Sequence, residues 1–491
     1  MTNPEGHTLC FNADAIDDGA LKLVRMRGRE AVSELYDFEL ILANDDLKEP
    51  LGFDQAQALL DGSTMQVEFA GDGGALCGMI RSLEYLPAID LTRSTYRARV
   101  VPRLWLTTQS SRSAIYQEIA VPEIIELVLA RAGLATEDYE LRLSGQYAPR
   151  EYVVQYDETD FNFISRLMED EGISYRFEHE AGGAGERLIL MDANEAAGED
   201  PNHDAIRYIP KLMESPEGGA MQAFTCRHKL CTSRVIARDY VDQQAPTYVV
   251  GERDASEGGP ALEVTRYGGS LVDATVANHR AQVEVEGHLA RTVVFRGDTT
   301  CAWLRSGYRV DVDDYSEGGL HPDFACALLV TSVEHDWDEN QLYRNTFTAI
   351  DSDTPYRAKR RAARPRIAGV IHGRVVGEAP GSELPWLDDQ GRYLVQLLFP
   401  NEGEPRTQVS RYIRMAQPLA GASPEGSYGI HFPLHAGAEV IVAHHDGDPD
   451  RPVIVGALPN PNTVSPVTSA NSSHSIIQTR SGIVMAFVDQ E

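Results

Sequence analysis

Three aspartates at alternate positions, Asp446, Asp448 and Asp450, are the residues of this chain whose spacing most invites chemistry. Carboxylates at the first, third and fifth places of a loop are how a calcium loop begins. Such a loop also needs Gly at its sixth place and a bidentate Glu at its twelfth, and Arg451 and Ala457 stand there instead. The run therefore reads as a turn. Its acidic side chains accept backbone hydrogen bonds, Gly447 relaxes the backbone, and Pro449 and Pro452 fix φ. His444 and His445 precede it, but neighbours on a strand point to opposite faces and do not chelate one ion.

The other candidates are weaker. Cys226, His228 and Cys231 do not have zinc-site spacing, and no second Cys/His pair follows at a useful distance. With Cys10, Cys77, Cys301 and Cys326 they make six cysteines scattered through a long chain, which reads as free structural thiols. Glu169, Asp170 and Glu171 could be imagined as an acid/base pair, but adjacent helix positions diverge around the axis and a helix end is usually solvated. A nucleophile elbow, a His-Glu-x-x-His run and a phosphate-binding Gly-rich loop do not occur. The expectation is no catalytic, cofactor-binding or metal residue, no cofactor, and no enzymatic activity.

A chain of 491 residues exceeds one hydrophobic core and points to about three domains. Its 74 acidic against 44 basic residues give a net charge of -30, which argues against nucleic acid and against an anionic membrane as partners. No run is long and apolar enough to span a membrane. Residues 1–6 lack the basic and apolar regions of a signal peptide, so synthesis in the cytoplasm is expected, with export by a route that reads no N-terminal signal left open.

The elements that must position these residues are mostly strands. Residues 21–26, 36–42 and 65–69 alternate with period two, Gly71-Asp72-Gly73-Gly74 makes a turn from which 76–80 returns as a hairpin arm, and 96–102 follows as another strand. Two helices stand out. One starts at Pro122 and Glu123, packs Ile124, Ile125, Val128, Leu129 and Ala132, and stops at Gly133. The other is capped by Thr159, packs Phe161, Ile164, Leu167 and Met168, and ends at Gly172. A strand follows, with Ile173, Tyr175 and Phe177 on one face. From about residue 221 to 350 the chain is β-rich again. Residues 356–366 carry six basic and no acidic side chains. They read either as a solvated connector or as a basic strap on an acidic surface such as that of a neighbouring subunit. Near the end, Ile483, Met485 and Phe487 alternate with Val484, Ala486 and Val488, which suits a strand buried on both faces.

Residues 155–161 with 166–173, the strand 327–337, the polar-turn-to-strand units 388–399 and 446–460, and the apolar run 475–489 together resemble VgrG, the trimeric spike family of type VI secretion, related to the phage contractile-tail hub. Tyr412 and Leu419 stand near positions where VgrG barrels often carry Trp, and His435 where an Arg-Ile-Gly-type run is usual. The resemblance implies a mainly β protein with α+β inserts. Residues 1–364 would be a hub of two β-barrels with an α/β insert around 110–220, 365–462 an OB-fold domain, and 463–491 the start of a β-prism stem, truncated or short. No clear internal sequence repeat is visible, so the two-barrel duplication comes from the resemblance alone. The aromatics of the OB segment, Trp386, Tyr393, Phe399, Tyr412, Tyr428 and Phe432, read mainly as core.

The function implied is a homotrimeric spike hub of a contractile injection apparatus. It would dock on a hexameric, Hcp-like tube and on baseplate proteins at the inner membrane, without stable membrane insertion. It would carry a PAAR-type tip protein and effectors, and be translocated on contraction to puncture a target envelope. The alternatives are the hub of a phage or phage-derived particle, and a carbohydrate-degrading enzyme.

Overall fold

The computed structural model describes residues 9–44, 50–61, 64–69, 74–87, 93–180, 185–199, 205–210, 218–241, 248–255, 262–316, 319–341, 343–399 and 410–489. Of the expected Gly-rich turn, residues 71–73 lie outside these. The chain divides into two compact units. One comprises residues 1–111, 120–149 and 159–363; the other comprises 112–119, 150–158 and 364–491.

The first unit is built on a twelve-stranded sheet. Six strands come from the start of the chain: β1 (Leu9–Ala13), β2 (Lys22–Ala31), β3 (Asp37–Asn44), β4 (Thr64–Phe69), β5 (Ala75–Leu86) and β6 (Ser94–Val101). Six come from later: β7 (Ala205–Tyr208), β8 (Met221–His228), β9 (Val293–Thr299), β10 (Arg309–Asp314), β11 (Leu328–Asp338) and β12 (Arg344–Asp351). Each set has the same neighbour order. The early strands run β2-β3-β6-β5-β4-β1, and the later ones β8-β9-β12-β11-β10-β7. The later set closes on itself through a parallel β7–β8 contact at Tyr208 and Met221. A ladder between β2 and β11 joins the two sets.

The irregularities repeat as well. A bulge falls between Ile80 and Ser82 on β5 opposite β6, and another between Val330 and Ser332 on β11 opposite β12. A second pair lies between Leu23 and Arg25 on β2 and between Met221 and Ala223 on β8. Bulges re-aim a strand and are retained as features of a fold. Aligned on them, Ile80-Arg81-Ser82-Leu83-Glu84 matches Val330-Thr331-Ser332-Val333-Glu334, a short repeat the linear reading passed over.

Helix α1 (Phe53–Leu60) lies between β3 and β4. Between β6 and β7 lie α2 (Val121–Arg131), α3 (Asp160–Glu171) and a three-stranded sheet with Gly185–Met191 between Ser174–Glu180 and Tyr139–Arg142. The Thr159 side chain caps α3 by accepting from the Asn162 N–H at 3.1 Å, and Gly172 ends the helix at φ 77°, as its sequence implies. Phe163, not Phe161, takes the aromatic place in the core of α3. Between β8 and β9 the expected run of strands is interrupted by α4 (Ala274–Leu289). It packs Ala277, Ala281 and Val285 on a sheet through Val235, Ala237 and Val249.

The second unit holds a five-stranded sheet of β13 (Ile371–Val375), β14 (Tyr393–Leu397), β15 (Ser410–Ile413), β16 (Glu439–His444) and β17 (Pro452–Ala457), in the order β15-β14-β13-β16-β17. A parallel bridge between Met415 and Ile454 brings its ends together. Val395, Leu397, Ile413, Val440, Val442 and Ile454 fill the interior. Two segments from far earlier complete it, contributing Ile115, Tyr152 and Val154 to the same core.

Candidate functional site

The aspartate run forms a turn in which Arg451 lies between the carboxylates of Asp446 and Asp448. Asp446 sits at φ 54° and accepts from Arg451 Nη2 at 3.2 Å. Asp448 Oδ1 accepts from the Asp450 N–H at 3.0 Å, and Asp450 Oδ1 from the Val154 N–H at 2.7 Å. Asp450 thereby fixes one of the early segments to the barrel. His444 ends β16, where burial pushes its imidazole down to about 4. Among the described residues no group of three or more His, Cys, Asp or Glu is placed to hold a metal ion. Cys226 Sγ lies 3.6 Å from His228 Nε2, burial raises its thiol pKa, and all six cysteines are free.

The acidic triplet at the end of α3 is not solvated, contrary to expectation. Asp170 is buried and pairs with Arg280 and with Arg360. Glu169 turns to the backbone of residues 361 and 362, and Glu171 lies 3.6 Å from His279 Nε2. The three diverge into separate contacts, so they do not form an acid/base pair. Within the basic segment, Arg357, Arg360 and Arg361 pair with Glu286, Asp170 and Glu34 of the same chain.

One polar cluster was missed from the sequence. At the β2–β11 seam, His335 Nε2 lies 2.9 Å from Glu30 Oε1, and His335 Nδ1 lies 2.5 Å from the Tyr343 hydroxyl. Arg305 Nε stands 4.0 Å from the same carboxylate oxygen. All are buried. Burial pushes the His335 imidazole down, and its two ring nitrogens face the Glu30 carboxylate and the Tyr343 hydroxyl. Burial alone would raise the Glu30 carboxyl, but His335 and Arg305 outweigh it and hold it low. The cluster is a closed hydrogen-bonded lock within the sheet. Its only linear signal is a His at an inward position of an apolar strand.

The surface that lacks partners lies elsewhere, in the second unit. His474–Gln478 and Val484–Val488 form an antiparallel hairpin. The expected two-sided burial is absent: every residue of Val484–Val488 is exposed, Phe487 at 63% and Met485 at 57%. Trp386, Tyr428 and Phe432 are exposed too, contrary to a core reading, whereas Tyr393 is buried as expected. An apolar strand exposed on both faces, Val484–Val488, is the kind of surface that marks an interaction site.

The described chain combines a doubled six-stranded module, a five-stranded barrel and a terminal hairpin whose last strand is exposed. Residues 29–341 match the phage tail baseplate hub (GPD) family, and the chain belongs to it. Residues 386–458 match the type VI secretion system/phage-baseplate injector OB domain. The chain is similar to the type VI secretion system spike protein VgrG1b of Pseudomonas aeruginosa, 30% identical over 482 residues, covering 94% of this chain and 62% of that protein. It is 28% identical to VgrG5 of the same organism over 479 residues, 94% of this chain and 58% of that one. It thus spans about six-tenths of the length of these relatives. An E. coli component of the type VI secretion system, described as structurally similar to the T4 bacteriophage tail proteins gp27 and gp5, has the same fold at 22% identity. The TM-score is 0.67, with 91% of this chain and 99% of that one covered.

Proposed function

We propose that the chain is the homotrimeric spike hub of a type VI secretion apparatus and acts by transmitting force. The observation that carries this is the hairpin 474–488: its apolar faces are bare in one chain and would be buried by two further copies around a threefold axis. Obligate interfaces of interdigitated β-chains bury on the order of 2,000 Å² or more. Two six-stranded modules per chain, taken three times, suit a hexameric Hcp-like tube. The barrel end would carry the stem, a PAAR-type tip and effectors toward the target envelope. The assembly would form in the cytoplasm at the inner-membrane baseplate and cross to the target on contraction.

Light scattering on the purified chain is expected to give three times its 54.1 kDa mass. Polar replacement of Ile477, Met485 and Phe487 is expected to shift the mass toward one chain while far-UV circular dichroism stays unchanged. A monomer for the parent chain at micromolar concentration would overturn the reading. A second reading is favoured by the family itself, whose name is that of a phage hub: the same trimer in a phage-derived particle. Neighbouring genes distinguish the two. A carbohydrate-degrading activity would show as peptidoglycan release abolished by one carboxylate substitution, and none is expected.

A further inference from the structure

After β12 the chain does not leave the first unit at once. Residues 355–361 and 363–368 have no helix or strand of their own, yet the stretch from 356 to 363 is bonded along nearly its whole length. Tyr356 donates its hydroxyl to the Val32 carbonyl at 3.1 Å and its N–H to Asn194 Oδ1 at 3.0 Å. Arg357 Nε donates to Glu286 Oε2 on α4 at 2.8 Å. Its Nη1 reaches the carbonyl of Gly172, where α3 ends, at 3.1 Å. Arg360 lies 3.4 Å from Asp170. The N–H groups of Arg361 and Ala362 donate to Glu169 Oε1 at 2.9 and 3.1 Å, and Arg361 Nη1 lies 2.6 Å from Glu34. At the far end Asn162 grips Ala363 twice, accepting from its N–H at 3.2 Å and donating to its carbonyl at 2.8 Å. The strap therefore runs antiparallel to α3, from Gly172 back to Asn162.

We infer that residues 356–363 are a mechanical tie-down. Tension on the chain from the C-terminal side is met by a row of bonds lying along α3 before it reaches β12. Three features separate this from a solvated connector. The bonds are charge-assisted at Glu169 and Glu286, and such bonds are the stronger kind. They involve main-chain groups at 361, 362 and 363, so they fix the path of the backbone and not only side chains. They also share Asp170 with Arg280, which links α3 to α4 beneath the strap. The mechanical use rests on the force-transmitting role proposed above; the tie-down itself does not.

Limited trypsin digestion of the full chain, with fragments mapped by mass, tests it. Peptide bonds after Arg357, Lys359, Arg360 and Arg361 are expected to be protected in the parent. In a double variant, Asn162→Ala with Glu169→Ala, cleavage there is expected to rise about tenfold or more, while the thermal midpoint followed by circular dichroism shifts little. Glu169→Gln, which keeps an acceptor, is expected to fall between. If the double variant does not fold, Asn162→Ala alone supplies the comparison. Unchanged cleavage in a folded variant, or a parent strap cut as fast as an unstructured peptide, would overturn the tie-down. A monomeric but protected parent would sink the spike reading and leave the tie-down standing.

Discussion

The two six-stranded halves of the first unit share a strand order and two bulge positions, but they fill their interiors differently. Aligned on the bulges, Leu40 opposite Ala98 in the first half corresponds to Gly297 opposite Phe347 in the second. Gly28 opposite Phe38 corresponds to Cys226 opposite Phe295. A side chain on Gly28 would collide with Phe38, and one on Gly297 with Phe347. The glycine that makes room for an aromatic ring thus sits on β2 in one half and on β9 in the other. Volume is conserved across a strand pair while the residues change, which cores tolerate well. Backbone irregularities cannot be traded in that way, and they are what remains in common.

The outer faces differ as well. The first half carries a ladder of alternating charge, with Arg27 on Asp336, Arg97 on Glu39 and Glu84, and Arg99 on Asp37 and Glu39. On β12, Thr346 and Thr348 take the places that Arg97 and Arg99 hold on β6.

The largest expected effect comes from separating the halves at their seam. Glu30→Ala removes the buried carboxylate that His335 and Arg305 face and should cost about 3–5 kcal/mol, read by denaturant unfolding. The seam should also be acid-sensitive. Both Glu30 and His335 have lowered folded pKa values, so each contributes stability that is present above its unfolded value and lost as pH falls through the folded one. The melting midpoint is expected to drop as pH is taken from 7 toward 4 and His335 is forced to take a proton, with a steeper slope in Glu30→Ala, which removes the carboxylate that raises the His335 pKa; an identical slope would remove the seam as the cause.

A smaller effect tests the exchange of volumes. Ala98→Phe alone should destabilise by about 1–3 kcal/mol through overpacking. Adding Leu40→Gly, to copy the second half, should recover part of that loss, giving a favourable coupling in a double-mutant cycle. Strict additivity would mean that the two halves do not solve the same packing problem. The smallest effect is expected on the charged face: Arg97→Thr, the residue of the second half, should cost no more than about 1 kcal/mol, and less in high salt.

Much of this was legible in the linear chain. Period-two runs marked β2, β3 and β4, a long apolar run marked β11, and the cap and stop residues of α3 sit where Thr159 and Gly172 indicated. Helix α4 was not legible, because its buried face mixes the small stripe of Ala277, Ala281 and Val285 with Arg280 and with Glu284, which pairs with Arg266 at 2.8 Å. The duplication was hidden by the exchange of glycines and rings. The terminal apolar run was legible as a strand but not as a bare one, since burial by other copies leaves no mark of its own in a single chain. The seam cluster depends on residues as far apart as Glu30 and His335, 305 positions, and no local pattern announces it.

The barrel of the second unit has its own history in time. Val154 and Asp450, which share a 2.7 Å hydrogen bond, are 296 residues apart. During synthesis the strand bearing Tyr152 and Val154 emerges long before β13 to β17 exist. Closing so long a loop is entropically costly and makes folding slow. The early segments must therefore wait, without the strands they pack against, until the last quarter of the chain arrives. That delay makes the barrel the last part of each chain to mature, and a period in which the nascent protein needs shelter from aggregation.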